Sequence, residues 1–165
     1  MERVFRNGCA AALCIGLAGC ATTPVPRPDP ICPAIRDFAN ATHDAAAHVV
    51  ELTTTWFPPG GSVGPRAECQ DAGDAPGRAL CSVLVQHASR EFAAANIERT
   101  LACVSKAGHI DGLPIYAVHS LSGEVSSFEM PGVDGDVELT VFFDTGKNGK
   151  PATLSIESKR AATPR

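Results

Sequence analysis

The sequence predicts an α+β fold: an antiparallel sheet of four to five strands with two helices packed on one face. Three observations carry this reading. Leu80, Cys81, Leu84, Val85, Ala88 and Phe92 recur at helical spacing after Pro76. Val137, Leu139, Val141 and Phe143 alternate with Glu138, Thr140 and Asp144, the period of a half-buried strand. The strand-like runs of the second half follow one another through short connections, so neighbours must run antiparallel and helices must cover their apolar side.

The elements follow in chain order. Cys32, Ile35, Phe38, Ala39 and Thr42 place a first helix near Pro33. Val49, Val50, Leu52 and Thr53 to Thr55 predict a strand over His48–Phe57, stopped by Pro58-Pro59-Gly60-Gly61. Ser62–Ala75 reads as a long polar loop, and Pro76 opens the second helix. After Asn96, Ile97, Leu101 and Cys103 set against Glu98, Thr100 and Ala102 read as a strand ending at Gly108. Ile115, Ala117, His119 and Leu121 begin a long strand reaching Phe128, with a bulge at Gly123. Met130–Gly135 is a loop, Val137–Asp144 a strand, Gly146–Pro151 a turn, and Leu154 and Ile156 belong to a last strand. The polar tail from Lys159 is expected to fray. One helix followed by four strands over Pro76–Arg160 resembles the element order of cystatin-like and nuclear-transport-factor-like domains. Order alone implies architecture and no function.

The amino terminus gives an address. Arg3 and Arg6 precede an apolar run from Gly8 to Leu17, too short to span a bilayer and of the length of a secretory signal. The run ends in Leu17-Ala18-Gly19-Cys20, which resembles the lipobox of bacterial lipoproteins at every position. The resemblance covers about the first 20 residues. It implies diacylglycerol transfer to the Cys20 thiol, cleavage before it and acylation of the new amino terminus. Several acyl chains together meet the two-signal requirement for stable anchoring, at about 0.8 kcal/mol per buried methylene. Ala21, where enteric lipoproteins of the inner membrane carry Asp, favours the outer membrane. Pro24, Pro26, Pro28 and Pro30 then forbid helix and favour an extended spacer of about 30 Å. The organisation that follows is a signal peptide over 1–19, a lipidated Cys and tether over 20–31, one α+β domain over 32–160 and a tail over 161–165.

Composition narrows the function. Charged residues are 19% and hydrophobic ones 44%, the balance of a folded domain. Removing Glu2, Arg3 and Arg6 from the 14 basic and 18 acidic residues leaves 12 and 17, a net charge of −5. A nucleic-acid partner needs a basic footprint, and aromatics at 5% are too few for a stacking platform. Four cysteines besides Cys20 remain in the body: Cys32, Cys69, Cys81 and Cys103. An even number in an exported chain implies two disulfides. Either Cys69–Cys81 is a local clip and Cys32–Cys103 ties the first helix to the sheet, or Cys32–Cys69 pairs with Cys81–Cys103. No two of them have the close spacing of zinc ligands, so no metal or other cofactor is expected.

Constellations of catalytic type each meet a structural alternative. Gly60-Gly61-Ser62-Val63-Gly64 matches the Gly-x-Ser-x-Gly elbow, but Pro58, Pro59 and Pro65 surround it where a strand-to-helix turn is required. His87 and Glu91, four apart, read as a solvated pair on the second helix. His119 falls on the apolar side of its strand, the place of a hydrogen-bonded core histidine. Asp134, Asp136 and Glu138 begin like a calcium loop, yet Leu139 and Thr145 replace its required Gly and Glu. Ser122-Gly123-Glu124-Val125 resembles the Ser-Gly-x-x-Tyr loop of one class of lipoprotein lysozyme inhibitors. Ser126 stands where that class has Tyr, and no function is carried over.

The expectation is therefore a tethered, non-catalytic protein-binding module facing the periplasm, of the inhibitor or immunity type. An accessory lipoprotein of envelope assembly or secretion is the second class, and a small-ligand-binding or enzymatic domain the third. The acidic set Glu124, Glu129, Asp134, Asp136, Glu138 and Asp144 is the candidate surface for a basic protein partner.

Overall fold

Val50, Leu52 and Thr54 are buried along β1 (His48–Thr55), while Val49 and Glu51 between them are exposed. The same alternation buries Ala152, Leu154, Ile156 and Ser158 on β5 (Ala152–Arg160) and Val137, Leu139, Val141 and Phe143 on β4 (Val137–Asp144). Period-two burial on three strands defines one core face and one outer face of a single sheet. The structure, a computed structural model, describes residues 29–41, 46–56, 64–105, 121–127, 129–146 and 150–161.

The sheet is antiparallel throughout, with strand order β2-β1-β5-β4-β3. β2 (Arg66–Asp71) and β3 (Ser122–Ser127) are its edges. Register aligns Leu52 with Leu154 and Cys69, Phe143 with Leu154, and Val141 with Ile156, so the apolar rows run straight across the sheet. Three helices close the core: α1 (Ile31–Asn40), α2 (Ala75–His87) and α3 (Ala93–Val104). α2 lies over β1 and β2, α3 over β4 and β5, and α1 packs on both helices. Ile31, Ile35, Leu80, Leu84, Ile97 and Leu101 meet the strand residues in one continuous cluster. The fold is α+β, as the sequence predicts.

Five details depart from the sequence reading. Ser62–Ala75 contains β2, whose inward Ala67 and Cys69 are separated by charged or polar outward residues typical of an edge. The second helix ends at His87 rather than continuing to Phe92, which is 60% exposed. The segment after Asn96 is helix: Ile97, Leu101 and Val104 are spaced four and three apart on one buried face, and the intervening Arg99 breaks any alternation. A third helix thus replaces the first of the four expected strands, and Pro76–Arg160 does not follow the helix-plus-four-strand order of cystatin-like domains. Gly123 forms no bulge, because β3 and β4 pair without interruption from Ser122–Asp144 to Ser127–Leu139. There the Phe143 ring covers Gly123, and a Cβ would come within 2.9 Å of its Cζ. Lys159 and Arg160 belong to β5 and do not fray. Residues 1–28, with Cys20, and His119 lie outside the described residues.

Candidate partner surface

Two fastenings set where the domain begins. The structure pairs Cys32 with Cys103 and Cys69 with Cys81. The first bond joins α1 to α3, not to the sheet, and the second joins edge strand β2 to α2. One turn of α3 before Cys103, Arg99 grips Asp29 with Nε–Oδ2 at 2.6 Å and Nη2–Oδ1 at 2.8 Å. Asp29 Oδ1 also accepts from the Ile31 N–H at 3.0 Å, satisfying the first N–H of α1. The hydrogen bond from Arg99 holds the Asp29 carboxyl below its ordinary pKa, against a smaller opposing effect of burial. Asp29, Pro30 and Ile31 therefore belong to the folded unit, although the sequence assigns them to the tether.

A side-chain hydrogen bond fixes the other end of the helical layer. His48 Nδ1 lies 2.6 Å from Asp74 Oδ2, and Asp74 Oδ1 accepts from the Gly77 N–H at 2.5 Å as the N-cap of α2. The hydrogen bond with His48 lowers the Asp74 pKa. Ser158 stands cross-strand from His48 but is wholly buried, so a substrate has no approach to its hydroxyl. The geometry is that of a lock between β1 and α2. His87 and Glu91 are exposed, and the helix ends between them.

The acidic residues separate into two groups. Glu124, Glu138 and Asp144 share the outer face of the sheet with residues the sequence reading did not include: Glu51, Glu68 and Glu157. One cross-strand row runs Gln70, Glu51, Ser155, Phe142, Glu124, and the next runs Glu68, Thr53, Thr153, Asp144, Ser122. Phe142 is 38% exposed near the middle of this face, and Val49 is 36% exposed beside Glu157. Two cations share the face: Arg66, paired with Glu68 at 3.1 Å, and Lys159, opposite Glu138. Glu51, Glu124, Asp144 and Glu157 make no ion pair among the described residues.

Asp134 and Asp136 lie elsewhere, in the turn before β4, and both are engaged. Arg160 Nη1 donates to the two Asp136 oxygens at 2.6 and 2.7 Å, and Nη2 donates to Asp134 Oδ2 at 2.9 Å. Their hydrogen bonds push the Arg160 pKa further up. Glu129 is exposed in the same β3–β4 connection. Alternation within one strand shows that Glu138 and Asp144 share a face. The addition of Glu51 and Glu157 needs the β1–β5–β4 adjacency, which no local pattern contains. Among the described residues no group of three or more His, Cys, Asp or Glu side chains is placed to hold a metal ion.

No family model, curated protein or solved structure matches this chain.

Proposed function

We propose that the chain is a lipid-anchored bacterial lipoprotein of the outer membrane, facing the periplasm, whose domain binds a basic protein partner without turnover. The observation that carries the binding reading is the outer sheet face. Four carboxylates without an ion pair among the described residues, Glu51, Glu124, Asp144 and Glu157, surround exposed Phe142 and Val49. Two exposed apolar side chains set among mostly acidic neighbours offer desolvation on contact and electrostatic steering around it. Asp134 and Asp136 are better read as structural, because Arg160 holds both through hydrogen bonds.

The anchoring reading rests on Leu17-Ala18-Gly19-Cys20 and the proline spacer. The bonds at Asp29 and Cys32 hold the start of the described domain on α3, where such a spacer would join it. Labelling with radioactive palmitate tests the anchor: Cys20→Ser should abolish the label and either block processing or release the protein from membranes. A processed mutant that stays membrane-bound like the parent would overturn the lipoprotein reading. The charge-reversed outer face, treated in the Discussion, tests the binding reading separately.

A further inference from the structure

On the helix side of the sheet, edge strand β2 and α2 border an open groove of about 550 Å³. The Cys69–Cys81 disulfide joins its two walls. Three features of this groove point to the same kind of ligand. First, β2 has one strand neighbour among the described residues, so every second residue turns its N–H and C=O toward the open edge. Second, the groove is shallow and open along the strand, a shape that cannot enclose a small molecule but accepts an extended chain. Third, its charge is opposite to that of the chain as a whole. Arg78 stands in the first turn of α2, and Arg90 lies three residues past its end.

The two arginines are placed as end clamps. Arg78 Nη1 donates to the Gly73 carbonyl, which holds the guanidinium in place while its other N–H groups remain for a ligand. Arg90 makes no ion pair among the described residues. The carboxylate in the lining, Asp71, turns Oδ1 to the Gly73 N–H at 2.7 Å. α2 has 13 residues and so is about 20 Å long, the span of about six extended residues. We propose that the groove receives an extended acidic peptide segment of a protein partner. The segment adds to β2 as a sixth strand and sets carboxylates on Arg78 and Arg90. This site is distinct from the acidic outer face and selects the opposite charge.

Panning a phage library of random seven-residue peptides against the purified protein tests the proposal. Recovered sequences should be enriched in Asp and Glu, and binding should slow hydrogen exchange of the backbone amides at 66–71. Affinity should fall about tenfold or more in the Arg78→Glu, Arg90→Glu double variant. Ser82→Trp, which fills the groove without changing charge, should weaken binding as well. All three positions are exposed, so the variants should keep the parent's circular dichroism and melting curve. Failure to recover acidic binders overturns the proposal. So do binders indifferent to both variants, or binding that leaves β2 amide exchange unchanged.

Discussion

Asp29 and Arg99 stand 70 residues apart in sequence and meet through two parallel hydrogen bonds of 2.6 and 2.8 Å. The pair sits at the start of helix α1, one helical turn from the Cys32–Cys103 bond. Arg99 Nη1 also donates to the His87 carbonyl at 2.7 Å, so the same guanidinium closes the end of α2. The start of α1, the end of α2 and α3 therefore share one junction.

Acid titration reads this junction. The Asp29 pKa is lowered in the folded state, so its contribution is complete above the unfolded aspartate value of about 3.9. It is lost as pH falls through the lower folded value. Asn at position 29 keeps an acceptor for the Ile31 N–H but not the charge. Denaturant unfolding of Asp29→Asn should show a deficit of about 1 kcal/mol at pH 7. That deficit should stay constant down to about pH 4 and shrink below it.

The two disulfides should differ in weight. Cys32–Cys103 closes a separation of 71 residues and Cys69–Cys81 one of 12. Loop-closure entropy assigns about 4 kcal/mol to the first and about 3 kcal/mol to the second. Paired Cys→Ser variants measured by urea unfolding should follow that order. Equal melting temperatures for the parent and the Cys32→Ser, Cys103→Ser variant would contradict it.

Asn96 is buried in the first turn of α3 and ties down the turn from α2: its Oδ1 accepts from the Ser89 N–H at 2.7 Å and its Nδ2 donates to the Ser89 carbonyl at 2.8 Å. Asn96→Ala leaves both backbone groups unsatisfied. The expected loss is about 2 kcal/mol in denaturant unfolding.

The same turn shows what was legible in the sequence. Val137–Asp144 is readable because Val137, Leu139, Val141 and Phe143 point inward and, Phe142 apart, polar residues stand between them. α3 is harder, because Glu98, Thr100 and Ala102 mimic an outward set, and the four-residue step from Ile97 to Leu101 is the feature that decides for helix. The break between α2 and α3 comes from Ser89 and Asn96, a side-chain clamp seven residues apart that periodicity does not register. β2 carries small or polar inward residues because it is an edge strand beside a disulfide, and it therefore lacks an apolar stripe. For the candidate surface, Glu138 and Asp144 follow from one strand. The Arg160 clamp on Asp134 and Asp136 depends on the β4–β5 register, and only the fold supplies it.

The central claim is that carboxylates on the outer sheet face recruit a basic partner. The measurement is the association rate of a basic protein, captured from envelope extracts on the immobilised parent, with the parent and with the Glu51→Lys, Glu124→Lys, Asp144→Lys, Glu157→Lys variant, taken across ionic strength. The four positions lie on the outer face, away from the core cluster, so the variant should fold as the parent does. For the parent the rate should fall steeply as salt rises, and at low salt the variant should associate at least about tenfold more slowly. Equal rates for the two proteins, unchanged between low and high salt, would contradict the claim.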